Sequence, residues 1–249
     1  MTGFSYQLYG SRNSGPLEGT LRMLAEAGYG AVEGYGGVYG DPAGLARALR
    51  AAGLAMPTGH FAPDMLERDP HGVLAIAGAV GMERVYAPWI APGDRPASRA
   101  GWMALGARLD AMGRPFRDAG LGFGWHNHDF EFAPLPCGTP PMEALLEGGP
   151  DLEWEIDVAW VIRGGADPLD WIARHGARIT AVHVKDIAAP GAGAGEDGWA
   201  DLGQGTVAWR PIMAALRSAT PARHFVLEHD SPSDDARFAR VSLAAARAL

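Results

Sequence analysis

The sequence predicts an α/β protein: one (β/α)₈ barrel domain spanning residues 1–249. Three observations predict it. Strand-like and helical patterns alternate at intervals of roughly 30 residues, about the size of one βα unit. The length of 249 residues matches the roughly 250 that such a barrel typically needs. Finally, four strand-like runs in the second half close on imidazoles or carboxylates. These are FGWHNHDFEF (123–132), LEWEIDVAWV (152–161), ITAVHVKDI (179–187) and HFVLEHD (224–230). Their polar ends converge only if the strands lie side by side and point the same way, as they do at the C-terminal face of a barrel.

Taken in order, strands are expected at 4–8, 31–35, 54–61, 83–89, 120–128, 152–158, 179–185 and 224–229. The clearest helices are expected at 17–27, 42–52, 97–119, 167–175, 207–218 and 232–249, where apolar residues recur three and four apart. Proline often sits near the first helical turn. Gly28, Gly53, Gly120 and Gly176 follow helices as candidate C-terminal caps. Most of the strands are continuous apolar runs, as expected between covering helices and a filled barrel. The low-complexity stretch AAPGAGAGEDG (188–198) is expected to be a long, mobile loop at the barrel mouth, either a lid or a tolerated insertion. An open doubly wound sheet would need a glycine-rich phosphate loop after the first strand, and GSRNSG (10–15) matches one poorly.

Composition narrows the class. Hydrophobic residues make up 47% of the chain, enough for a substantial core, and no composition shift marks a second domain. A net charge of −8 speaks against a general nucleic-acid or membrane surface. The single cysteine, Cys137, excludes an internal disulfide framework and fits a reducing compartment. The first residues lack a basic and then apolar leader, and no stretch reaches the roughly 18 apolar residues of a membrane span. A cytoplasmic protein is the expectation.

The chemistry-bearing residues cluster at the predicted strand ends. Asp157, His183 and Glu228 form a mixed carboxylate and imidazole set suited to one divalent ion, Mn²⁺, Mg²⁺, Co²⁺ or Zn²⁺. A fourth ligand comes from His126, His128 or Glu131, with His126 preferred. Strand alternation puts His126 and His128 on one face and Trp125 and Asn127 on the other. Glu155 and Asp230 lie two residues from Asp157 and Glu228 and are candidates to orient the histidines or to form ion pairs. Lys185 can hold a substrate oxygen or form a rim salt bridge. His60 is a candidate acid/base group and Glu33 a candidate substrate contact, both at strand ends. Trp89 and Trp160, read as closing strands, offer aromatic faces to a sugar or fill the core.

HNHDFEF (126–132), EIDVAW (155–160), HVKD (183–186), GQGTVAW (203–209) and VLEHD (226–230) together resemble the sugar phosphate isomerase/epimerase family with the xylose-isomerase-like TIM barrel. GYGAVEGYG (28–36) and TGHF (58–61) extend the resemblance over essentially the whole chain. It implies one divalent metal, often Mn²⁺, a keto or aldo sugar or cyclitol as substrate, and for many members a dimer or tetramer. It also implies His126, Asp157, His183 and Glu228 as ligands. In the family's ketose epimerases the first of these is a second glutamate, so His126 departs from the two-glutamate mechanism. The departure resembles the branch of 2-keto-inositol dehydratases and 3-keto-glycoside-processing enzymes. A second departure is Ala208, where relatives often carry Asp. No obvious phosphate-binding motif is present, so a phosphorylated substrate is not assumed.

The expected chemistry is loss of an α-proton next to a metal-polarised carbonyl. Glu228, His128 or His60 acts as base, Lys185 steadies the oxyanion, and Glu33, Trp89, Glu131 and Trp160 contact the carbohydrate. Epimerisation, isomerisation and β-elimination by a lyase share this first step. Two other readings stand beside it: a multi-metal hydrolase of the endonuclease IV kind, disfavoured by the acidic balance, and a sugar-binding barrel without activity.

Overall fold

The computed structural model describes residues 3–249. Met1 and Thr2, at the head of the segment expected to lack a leader, lie outside the described residues. The barrel strands are β1 (Phe4–Gln7), β2 (Ala31–Gly34), β3 (Ala55–His60), β4 (Arg84–Ala87), β5 (Gly122–His126), β6 (Glu153–Asp157), β7 (Ile179–Val184) and β10 (His224–Leu227). All pair in parallel in chain order, and β10 pairs with β1 to close the ring. Two short strands, β8 (Asp186–Ile187) and β9 (Trp199–Ala200), form a separate antiparallel pair above it. The predicted eight-stranded barrel is therefore the observed fold.

Among the described residues, ten α-helices surround it: α1 (Leu17–Ala27), α2 (Pro42–Ala52), α3 (Pro63–Arg68), α4 (Pro70–Val80), α5 (Arg99–Asp118), α6 (Pro141–Gly148), α7 (Val158–Arg163), α8 (Pro168–His175), α9 (Trp209–Ala219) and α10 (Asp235–Ala246). Local chemistry marks their starts. Asp41, Asp69, Ser98 and Asp234 each accept the backbone N–H three residues on, capping α2, α4, α5 and α10. Gly28, at φ 99°, ends α1 in the left-handed conformation that glycine adopts without strain. Gly176 does not act this way. Its φ of −51° is right-handed, and it opens a short 3₁₀ turn leading into β7.

Two expectations need correction. Neither Trp160 nor Trp89 closes a strand: Trp89 lies in the loop two residues beyond the end of β4, and β6 ends at Asp157, whose Oδ1 accepts the Trp160 N–H at 2.9 Å and starts α7. The alternation in DVAWV imitates a strand, and the cap overrides it. The barrel interior is also not an apolar filling. Glu33 on β2 reaches His183 on β7, and His60 on β3 reaches Glu155 on β6. Contacts between non-adjacent strands require those side chains to point inward. The apolar residues of the same strands, such as Val32, Val85, Phe123 and Val182, join the helices in one core cluster outside the ring. The helices missed by periodicity include α4, whose PHGVLAIAGAV is so uniformly apolar that no stripe stands out.

The departure at Ala208 has a structural consequence. Ala208 is the N-cap of α9 and has no oxygen to accept a first-turn N–H. Only Arg210 offers one, because Pro211 has none. Ala208→Asp is expected to stabilise the fold by about 1 kcal/mol. The check is the shift in denaturant midpoint at constant m-value.

Candidate functional site

β5, β6, β7 and β10 deliver four buried side chains to one end of the ring: His126, Asp157, His183 and the residue just past β10, Glu228. One ligand atom from each lies within 4.8 Å of the other three. Register explains part of this, since Asp157 and His183 are direct partners across β6 and β7. Capping α7 commits Oδ1 of Asp157 and leaves Oδ2 buried without a hydrogen bond. The nearest cation to Oδ2 is the Lys185 ammonium, 3.3 Å away. Lys185 Nζ also lies 2.9 Å from Glu228 Oε2 and bonds both oxygens of Asp230. It is therefore an ion-paired group inside the site and not a rim salt bridge.

A second set lies beneath. Glu155 Oε2 is 2.5 Å from His60 Nε2 and 3.1 Å from His126 Nδ1. Glu33 Oε1 accepts from Gln7 Nε2 at 2.7 Å and faces His183 Nε2 at the same distance. A carboxylate takes the proton-bearing nitrogen of an imidazole and leaves the other nitrogen for a ligand. Glu155 thus favours the tautomer in which His126 presents Nε2, whereas His183 is held by carboxylates at both nitrogens, Glu33 on Nε2 and Glu228 Oε2 on Nδ1 at 2.7 Å, so that Nδ1 is the nitrogen on the Glu228 side. These donors fit a divalent ion: two imidazole nitrogens, two carboxylates, and one orphaned oxygen among them.

The electrostatics follow from burial set against these contacts. Burial, together with the neighbouring His183, pushes the His126 imidazole down to about 3. Against the same burial, the Glu155, Glu228 and Glu33 carboxylates raise His183 well above the usual imidazole range. Burial alone would raise Glu228, but Lys185 and His183 hold it well below the usual carboxylate range. Asp157 is pushed up to about 6, mainly by burial. Burial and the Glu155 charge raise Glu33.

A cavity of about 910 Å³ opens above, large even among pockets that hold drug-sized ligands. His60, His126, His128, Lys185 and Glu228 form its polar floor, with Tyr9, Tyr35, Trp89 and Trp160 among its walls. Tyr9 and Trp89 are two of the three large apolar side chains exposed among the described residues. Two expected substrate contacts do not line the cavity. Glu33 is fully buried beneath it, on Gln7 and His183. Glu131, the alternative fourth ligand, is fully buried against Trp125 Nε1 and the His128 backbone N–H, outside both clusters. It turns outward because Trp125 does. Gln7, Tyr9 and Tyr35 were not singled out from the sequence. Gln7 carried a signal, as the polar end of the FSYQ strand; the two tyrosines, on loops, carried none. Lys185 carried a signal that was overlooked: it is the only lysine in the chain, against 20 arginines.

The model of the xylose isomerase-like TIM barrel family matches residues 21–248. This chain belongs to that family. The rhizopine catabolism protein MocC of Rhizobium meliloti is 28% identical over 200 residues, 69% of this chain and 58% of MocC. The chain thus spans well under two thirds of that relative's length. Among solved structures, a sugar phosphate isomerase/epimerase from Parabacteroides distasonis superposes with a TM-score of 0.81 at 18% identity, covering 98% of this chain and 92% of its own. The probable 3-DHS dehydratase AsbF of Bacillus anthracis gives 0.74 at 15%, covering 98% of each chain. A D-psicose 3-epimerase gives 0.69 at 13%, covering 98% and 97%. At these identities the likeness is one of fold. Among the described residues, no helix of this xylose isomerase-like barrel is long and apolar enough to cross a membrane.

The 188–198 loop of this family member is tied down. It joins β8 to β9, and Glu196 within it accepts from Ser233 N at 2.7 Å and from Arg237 Nη2 at 2.8 Å. Arg163 Nη2 donates to the Asp197 carbonyl at 2.8 Å. Against partial burial, the Ser233 and Arg237 hydrogen bonds hold the Glu196 carboxyl down at about 2. A depressed folded pKa means the clasp is at full strength above the unfolded value near 4.5 and fails as pH falls toward 2. Hydrogen exchange across 188–198, corrected for intrinsic rate, should lose protection over that interval. Glu196→Gln should show the same loss at neutral pH.

Proposed function

We propose that the chain is a divalent-metal-dependent isomerase or epimerase of a keto-sugar or related carbohydrate, working by proton abstraction next to a carbonyl. One observation carries this: four buried ligand atoms converge at one end of the barrel, with His126 and Glu228 lining a solvent-open cavity, Asp157 and His183 fully buried beside them, and one Asp157 oxygen unsatisfied. His126, Asp157, His183 and Glu228 would hold the ion, with Mn²⁺, Mg²⁺, Co²⁺ and Zn²⁺ all compatible with the donor set. When bound, the ion supplies Lewis-acid polarisation of a substrate carbonyl and so acidifies the neighbouring C–H.

The chain's own groups supply the rest. Before an ion binds, Lys185 and His183 hold Glu228 ionised and able to accept a proton or a metal. His60 and His128 stand on the far side of the ring, at and beyond the ends of β3 and β5, the strands flanking β4, which lies opposite β10. A proton removed on one side and returned from the other inverts the carbon. In the ketose epimerases that the sequence resembles, the second base is a glutamate; here imidazole would serve. Trp89 and Tyr9 offer apolar faces to sugar C–H surfaces. The relation to MocC, named for rhizopine catabolism, supports a small-molecule catabolic substrate.

The test is exchange of the substrate α-hydrogen in D₂O across a panel of keto-sugars, 3-keto-glycosides and inososes, followed by NMR. Exchange should require the metal and stop on chelation; its absence with every compound sinks the proposal. Glu228→Gln should lower exchange by about 10²-fold or more, the usual contribution of a positioned base. Glu155→Gln, which removes the anchor of His126, should weaken metal affinity by about 10–100-fold while circular dichroism stays unchanged.

A further inference from the structure

The chain carries its positive charge almost entirely as arginine, 20 of 21 basic residues, and keeps one lysine. That lysine is among the most deeply buried polar groups in the molecule, with 1% of its surface exposed. Every surface ion pair made by a basic chain uses arginine, as in Arg84 with Glu153 and Arg237 with Asp201. A guanidinium is wide and planar, whereas an ammonium is compact and rides on a flexible stem, so the two are not interchangeable in a confined site.

Lys185 Nζ sits against two of the four proposed ligands, 3.3 Å from Asp157 Oδ2 and 2.9 Å from Glu228 Oε2. Its other contacts lie outside that set. Asp230 holds it at 2.9 and 3.1 Å, and the Trp199 and Trp160 rings stand 4.5 and 5.2 Å away. Asp230 lines the open cavity. A divalent ion bound by Asp157 and Glu228 would place like charges side by side in a water-poor space, where repulsion is strong. Asp230 gives the ammonium a partner that no ligand role claims.

We propose that Lys185 is a resident counter-cation: its ammonium neutralises Asp157 and Glu228 until a divalent ion displaces it toward Asp230 and the cavity. The inference rests on the metal-dependent function proposed above. It explains why buried carboxylates at the site can coexist without an ion, since an unpaired buried charge is strongly unfavourable. It also explains the choice of lysine, because the exchange needs a small head that can pivot. Displacement frees the ammonium, already on the cavity floor, from Asp157 and Glu228 only once the metal is in place, which couples loading to readiness for an anionic oxygen on the substrate.

The single lysine makes the test direct. Protein grown on [ε-¹³C]lysine gives one side-chain signal, and Zn²⁺ or Mg²⁺, both diamagnetic, can be titrated in while equilibrium dialysis reports occupancy. Saturable loading should increase the mobility of the Lys185 Cε, read from its relaxation. It should also speed acetylation of Lys185 by acetic anhydride, read by peptide mass spectrometry. Lys185→Met should bind the same ion more tightly, having no cation to displace from Asp157 and Glu228. Metal occupancy with unchanged Cε relaxation and unchanged acetylation would overturn this inference alone. Failure of the wild-type chain to take up any of the four candidate ions would overturn it together with the proposed function.

Discussion

A carboxylate with no access to water has to be matched by protons or cations, because desolvation otherwise drives it neutral or destabilises the fold. Glu155 and Glu33 stand in the middle of this barrel with no exposed surface, where related architectures are filled by branched apolar chains. Their partners are the three imidazoles of His60, His126 and His183, together with Gln7. The arrangement above inherits its order from this pairing. It selects which ring nitrogens face upward, and it anchors β2, β3, β5, β6 and β7 to one another across the lumen. The cavity floor is thus the top surface of a polar core, and its precision comes from the layer below.

The same layer separates what could be read from the chain and what could not. Closure of the barrel was legible because eight βα periods and strand-end polar groups both reported it. Helices α1 and α2 were legible to the residue, since an amphipathic stripe and a capping Gly bound each of them. Convergence of His126, Asp157, His183 and Glu228 was legible because equivalent strand ends must meet in a closed parallel ring. The depth of a residue below the rim was not. Glu33 and His60 both end strands, yet one is sealed under the floor and the other opens into the cavity. Shear staggers neighbouring strands, so equal distance from a strand end does not mean equal height. Glu131 misled for another reason: the chain turns after β5, and its carboxylate is claimed by an indole that faces the helices.

Charge distribution carries a similar lesson. A net charge of −8 says little about the cavity, where Glu228 and Asp230 face Lys185, His60 and His128. Composition spoke more clearly through a rarity, since one lysine among 249 residues marks a position where arginine would not serve. The loop between β8 and β9 shows the converse. Its glycine-rich text suggests slackness, but Glu196 and Asp197 tie it to neighbouring segments through contacts that no local pattern encodes.

Asp157 joins the scaffold to the chemistry within one side chain. With Oδ1 committed to the first turn of α7, the carboxylate cannot rotate freely, and the direction in which Oδ2 points is set by where that helix begins. The direction in which Oδ2 faces the lumen is therefore a property of helix register, decided by packing on the outside of the ring. Substitutions along 158–163, with no view of the lumen, become a route by which descendants of this chain can change which ion radius they prefer.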